Sequence, residues 1–168
     1  GYLPVVIQGP LKSGTVKLDG SFTSQVLTGL LIALPFISGD STLVVNNLTS
    51  KPYIDLTIAI LNDFGIDIDR KGYEDFYIRG KQRPATGKYA IEPDWSGMAF
   101  HLVGGAIAGD VDVLMSGSAS VQGDRRIIDV LAKAGADVEV HDDRVSVRKA
   151  HLKAFAYDAS DSPDLFPP

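Results

Sequence analysis

The chain has 168 residues, 45% of them apolar and 22% charged, which allows one ordinary domain or two small ones with a real core. Sixteen Lys and Arg stand against 21 Asp and Glu, and a net charge of -5 lacks the basic field that holds a nucleic-acid backbone, so no nucleic-acid partner is expected. The absence of cysteine excludes disulfides, thiolate nucleophiles and Cys-ligated zinc, and it suits a reducing compartment, with the cytoplasm as the expected location.

In chain order, "GYLPVVIQGP" lacks the basic, apolar and cleavage regions of a signal peptide. Within it "PVVIQG" reads as a strand, so that residues 1–13 look like the last strand of a preceding unit. From Gly14 the alternating "GTVKLDG" predicts a strand, and an apolar helix is expected from about Thr23 to Ile37. The longest apolar run, Val26 to Ile37, contains Thr28, Gly29 and Pro35 and falls short of the ~18 to 20 residues of a membrane span, so no membrane role is expected. "STLVVNN" predicts a second strand. In "TSKPYIDLTIAILNDFG", Ser50 is placed to cap a helix, Pro52 suits its first turn, and Gly65 suits its left-handed end. "IDIDR" and "DFYIRG", joined by a turn around Gly72, complete a βαβαββ unit over 14–80.

The order returns over 87–149. "GKYAIE" reads as a strand, "DWSGMAFHLVGGAIAG" as an apolar helix, "DVDVLMSG" as a strand, "QGDRRIIDVLAKAGA" as an amphipathic helix, and "DVEVH" and "RVSVRK" as two more strands. "ILNDFGIDI" from Ile60 matches "VLAKAGADV" from Val130 at one constant offset, the mark of a duplicated unit. Residues 150–168, "AHLKAFAYDASDSPDLFPP", read as the start of a truncated third unit. A chain that starts and stops in mid-pattern is expected to be part of a larger repeat protein, and severed strand edges would favour self-association of the piece.

The polar residues that could carry chemistry gather where a first strand meets a first helix. A helix N-terminus offers unpaired N–H groups and a positive dipole end, so Ser21, Thr23, Ser24 and Gln25 there could bind a phosphate or carboxylate, against the plainer reading of a Ser or Thr cap. Ser50-Lys51-Pro52-Tyr53 offers a hydroxyl, an ammonium and a phenol at a second helix start. The glycines of "GGAIAG" at Gly104 to Gly109 fit close helix packing better than a dinucleotide fingerprint, and "QGPLKSG" lacks the Walker spacing. His101 is expected to be a core histidine, while His141 and His151 have no metal-ligand spacing. The carboxylates of "DASDSPD" are read as solvated, since they lack the spacing of a calcium loop.

Taken together, "GSFTSQ" at Gly20 to Gln25, "SKPYIDLT" at Ser50 to Thr57, "VQGDRRIIDVLAKAGADV" at Val121 to Val138 and "SPD" at Ser162 to Asp164 resemble the 5-enolpyruvylshikimate-3-phosphate synthase family. The resemblance runs along essentially the whole chain. It implies an α/β fold (α+β in some schemes) of two lobes, each built from βαβαββ units, with the lobe crossover near Glu92 and Pro93. It also implies transfer of the enolpyruvyl group of phosphoenolpyruvate to the 5-hydroxyl of shikimate 3-phosphate, with no metal or organic cofactor, in a parent protein expected to be monomeric. Thr23, Ser24 and Ser50 then resemble the hydroxyls that hold the 3-phosphate, Gln25 the amide near the ring, and Tyr53 an aromatic ring beside the substrate. Asp164 resembles the carboxylate that contacts substrate hydroxyls and assists proton removal. The family usually has serine where Thr23 stands, and small serine-rich residues where Trp95-Ser96-Gly97 follow Asp94.

The family's phosphoenolpyruvate-binding cations fall outside these residues, so the chain by itself is expected to be inactive. Two alternatives compete: the related transferase acting on UDP-N-acetylglucosamine, and a non-catalytic anion-binding repeat module. The Ser24-Gln25 pair and Ser50 before Lys51 favour the shikimate enzyme, and the severed ends disfavour a closed module.

Overall fold

Two runs rich in β-branched residues form β1 (Thr15–Asp19) and β2 (Ser41–Asn46) in the computed structural model, which describes residues 3–117 and 119–168. They pair in parallel, from Thr15 opposite Thr42 to Asp19 opposite Asn46. Parallel neighbours need a crossover rather than a tight turn. Here it is α1 (Gln25–Ala33), which passes into a 3-10 turn over Leu34–Phe36. The sequence predicted one helix from Thr23 to Ile37. Pro35 has no N–H for the Leu31 carbonyl, so the regular ladder stops and the tighter turn takes over.

After β2 come α2 (Lys51–Asp63), β3 (Ile68–Lys71) and β4 (Asp75–Ile78). The sheet order is β1-β2-β4-β3, with β4 antiparallel to both its neighbours. Alternate residues of β2, Ser41, Leu43 and Val45, are buried, as are Leu27 and Leu31 of α1 and Phe76 and Ile78 of β4. That period of two beside a helical stripe gives this part of the chain its apolar interior.

The second half repeats the plan with α3 (Trp95–Ala108), β5 (Val111–Leu114), a 3-10 turn over Gly123–Arg126, α4 (Ile127–Ala134), β6 (Asp137–Val140) and β7 (Arg144–Arg148). Its sheet order, β5-β7-β6, again sets the last strand antiparallel between the other two. Trp95, Met98, Ala99, Leu102 and Ala106 of α3 meet Ile127, Leu131, Val145 and Val147 in one core cluster, which Leu165 joins.

The duplication extends to hydrogen bonds. α2 ends with the Gly65 N–H on the Asn62 carbonyl (2.8 Å) and the Ile66 N–H on the Leu61 carbonyl (2.9 Å). α4 ends with the Gly135 N–H on Ala132 (3.0 Å) and the Ala136 N–H on Leu131 (2.9 Å). Both glycines are left-handed, at φ 74° and 87°, as this reciprocal cap requires.

Contacts divide the chain into two compact units, Gly1–Leu48 with Thr57–Thr86, and Thr49–Leu56 with Gly87–Pro168. The second unit therefore takes in the first turns of α2 and the C-terminal residues, beyond the sequence boundaries 14–80 and 87–149. Two segments expected as strands, at 4–9 and 87–92, join no ladder among the described residues, nor does any part of 150–168, and residues 1 and 2 of the 1–13 segment lie outside them. A strand exists only with a partner for its backbone, and Val6 (90% exposed) and Ile91 (86%) show how little of the chain covers these stretches. His101, expected in the core, is exposed, because α3 turns Met98, Ala99, Leu102 and Gly105 inward and leaves His101 on the outer face.

Candidate functional site

In the first unit the expected residues sit at the start of α1. Asp19, at the end of β1, accepts the Ser21 N–H (3.0 Å), which holds its carboxyl below the ordinary range. The Thr23 Oγ1 accepts the Gln25 N–H (3.1 Å). Ser24 occupies the cap position, yet its side chain makes no capping hydrogen bond; only its carbonyl serves the helix, receiving the Thr28 N–H (2.9 Å). Ser24 as a residue is nonetheless only 7% exposed. An accessible hydroxyl not used for capping, on an otherwise buried residue beside the exposed amide of Gln25 at the positive end of a helix, is suited to an anion.

The start of α3 is built differently. Asp94 Oδ1 accepts the Ser96 N–H (3.1 Å), Gln122 Oε1 accepts the Trp95 N–H (3.0 Å), and Gln122 Nε2 donates to the Pro93 carbonyl (2.7 Å). Side chains of the protein thus take the Trp95 and Ser96 N–H groups, the first two donors of that helix.

Ser50, Tyr53 and Asp164 belong to the second unit, where three segments converge. Ser50, at φ 55°, is left-handed and buried; its N–H reaches the Ser160 carbonyl (3.3 Å) and its own carbonyl accepts the Tyr53 N–H (3.2 Å). The Tyr53 hydroxyl donates to both carboxylate oxygens of Asp124, at 2.9 and 3.0 Å. The Asp164 backbone N–H donates in turn to the phenol oxygen. Burial, the Asp124 hydrogen bond and the charges of Asp124 and Asp164 push the phenol well above the ordinary tyrosine value. Asp124, 2% exposed, is pushed up by burial and by the Asp164 and Asp94 carboxylates, against the pull of the Tyr53 hydroxyl.

Asp164 itself is exposed, in a short 3-10 turn over Pro163–Leu165. That turn is anchored from below by fully buried Ser162, bonded to the Tyr157 hydroxyl at 2.7 Å. Gly123 permits the convergence: a β-carbon there would lie 3.0 Å from the Pro52 Cβ and 3.1 Å from the Asp161 carbonyl oxygen. Among the described residues no group of three or more His, Asp or Glu is placed to hold a metal ion. Asp158 instead accepts the Ser160 N–H (2.9 Å) and hydroxyl (2.6 Å), and Asp161 faces Arg126 at 3.9 Å.

Thus the structure gathers Thr23, Ser24 and Gln25 in one unit and Ser50, Tyr53 and Asp164 in the other. Sequence reasoning missed Asp124 and Gln122 as parts of the second group. Their only signal was "QGD" before an amphipathic helix, which reads equally well as an exposed acidic first turn.

The repeated α/β sheets, with hydroxyl-rich helix starts, define an enolpyruvyl-transferase class of fold. Solved structures bear this out: EPSP synthase from Acinetobacter baumannii superimposes with TM-score 0.66 at 23% identity, over 92% of this chain and 37% of that one. The enolpyruvyl transferase NikO from Streptomyces tendae gives 0.61 at 19% identity, over 83% and 35%. The family model for EPSP synthase (3-phosphoshikimate 1-carboxyvinyltransferase) matches residues 1–168, and the chain belongs to that family. It is 44% identical over 167 residues to the 3-phosphoshikimate 1-carboxyvinyltransferase of Psychromonas ingrahamii, covering 97% of this chain and 39% of that protein. To that of Clostridium novyi it is 37% identical over 166 residues, covering 98% and 38%. The chain therefore spans less than two fifths of the length of these relatives.

Proposed function

We propose that this chain contributes the shikimate 3-phosphate side of an enolpyruvyl transfer site. In that reaction the 5-hydroxyl oxygen bonds to C2 of phosphoenolpyruvate, the hydroxyl proton is lost, and inorganic phosphate departs. Thr23, Ser24 and Ser50 hold the 3-phosphate through their hydroxyls, with the N-terminal dipole of α1 favouring its charge. Gln25 lies by the ring and Tyr53 packs beside it. Asp164, exposed on its turn, contacts the ring hydroxyls and assists removal of the proton from the attacking oxygen.

The observation that carries this reading is Ser24: its hydroxyl, at a helix start, caps nothing and stays open to a ligand while the rest of the residue is buried. No helix among the described residues is long and apolar enough to cross a membrane. We place the full-length protein in the cytoplasm, acting as a monomer. The chain alone lacks the cations that phosphoenolpyruvate needs and should not release phosphate from the two substrates. The test is a titration of the full-length protein with shikimate 3-phosphate, followed through the amide signals of Thr23, Ser24 and Ser50. Movement of all three is expected. Unmoved signals, with the protein folded, would overturn the assignment.

A further inference from the structure

Asp124 is 2% exposed, lies outside every hydroxyl-bearing turn, and binds the one phenol that the functional reading places beside the substrate. A phenol has one proton. Here both oxygens of Asp124 claim it, at 2.9 and 3.0 Å, so near neutral pH the Tyr53 oxygen turns only lone pairs toward everything else. One of those lone pairs receives the backbone N–H of Asp164. The chain of contacts thus runs from a buried carboxylate, through a phenol of fixed direction, to the turn that carries the exposed carboxylate.

The surroundings make this a built arrangement. Gly123, next to Asp124, lets its backbone approach Pro52 and Asp161 so closely that a β-carbon there would be crowded by both. The Ser50 N–H ties the Tyr53 segment to Ser160 at 3.3 Å. A buried carboxyl in the company of two other acids is costly, and burial together with Asp164 and Asp94 raises it. An apolar or amide side chain would be the cheaper filler for packing alone.

We propose that Asp124 is a positioning residue of the transfer site: by accepting the Tyr53 hydroxyl's hydrogen bond it fixes the phenol as an acceptor and, through it, sets the Asp164 turn in register. This rests on the reading that Tyr53 and Asp164 serve the transferase. It also carries a specificity consequence, because a phenol that can only accept suits a substrate hydroxyl and not a phosphate oxygen.

The test uses the full-length protein with Asp124→Asn, Tyr53→Phe and the double variant. Asn keeps the size of Asp but offers the phenol both a donor and an acceptor, so the direction of its proton is no longer set. In Asp124→Asn, kcat is expected to fall by between ~10- and ~100-fold, as for a misplaced catalytic group, with KM for shikimate 3-phosphate nearly unchanged. The double variant should be no worse than the worse single variant, since both act through one contact. Independently, the Tyr53 ring 13Cζ signal, assigned by its loss in Tyr53→Phe, should begin to ionise at least about one pH unit lower in Asp124→Asn than in the wild type. Multiplying losses in the double variant, or an unmoved Tyr53 titration, would overturn the proposal. A folded wild-type protein without turnover would instead overturn the functional reading, while the phenol titration would still decide the Asp124 contact.

Discussion

Ser50 is a non-glycine residue held at φ 55°, where an L side chain crowds the following carbonyl. Its hydroxyl and its backbone can therefore be tested apart. Ser50→Gly relieves the crowding and removes the hydroxyl, whereas Ser50→Ala removes the hydroxyl and keeps the crowding. Urea unfolding is expected to place the Gly variant above the Ala variant by about 1 kcal/mol, while both lose affinity for shikimate 3-phosphate alike. An Ala variant as stable as the Gly variant would show that the turn is unstrained. Asp124 carries the second test at this scale. Its carboxyl is raised in the folded protein, chiefly by burial, so the folded state holds the proton more tightly than the unfolded chain does. Stability from this group is then fully present below the unfolded value of about 3.9 and is lost as pH rises through the folded value. Relative to Asp124→Asn, the wild type should gain in thermal midpoint as pH is lowered from 7 toward 4. A pH-independent difference would contradict the raised carboxyl.

At the scale of elements, α3 carries two adjacent glycines with opposite surroundings. A β-carbon on Gly104 would meet nothing within 4 Å, whereas one on Gly105 would lie 3.0 Å from the Val111 Cβ and 3.5 Å from the Val147 Cβ. Both valines are fixed in paired strands and cannot readily retreat. Gly104→Ala should therefore raise stability by about 1 kcal/mol through helix propensity alone, and Gly105→Ala should lower it by about 1 to 3 kcal/mol through overpacking. Equal effects of the two changes would sink this account of the α3 contact with its sheet. Elements with their own periodicity and stop signals, such as α2 with Gly65 and α4 with Gly135, were legible in the sequence, because the information that forms them is local. The strands expected at 4–9 and 87–92 failed because alternation supplies a face but not a partner. The hydroxyl-rich start of α1 could be read from residue types alone. The Tyr53–Asp124 contact could not, since it joins residues 71 positions apart, and only the folded chain says that the acid of "QGD" is buried.

At the scale of the whole chain, many large apolar side chains are left in water. Phe100 and Ile107 of α3 are 53% and 59% exposed and stand two turns apart on one side of the helix, while Val26 and Ile32 of α1 are 56% and 47% exposed. Val6 and Ile7 are exposed to 90% each. Extensive exposed apolar surface is uncommon on monomeric proteins, and a chain of 168 residues with this many exposed apolar side chains is expected to associate with itself in solution. Sedimentation of the isolated chain should show a concentration-dependent increase in mass that survives added salt, because the attraction is hydrophobic and not ionic. Changing Phe100 and Ile107 together to Glu removes apolar area that association would bury. The cost is about 2 kcal/mol, or roughly a thirtyfold weaker Kd, if α3 supplies the contact. Both positions point outward, so the helix itself should remain folded, with an unchanged far-UV spectrum. A chain that sediments as a monomer at every concentration, or a double variant that associates as tightly as the wild type, would show that α3 is not the surface by which the chain finds a partner.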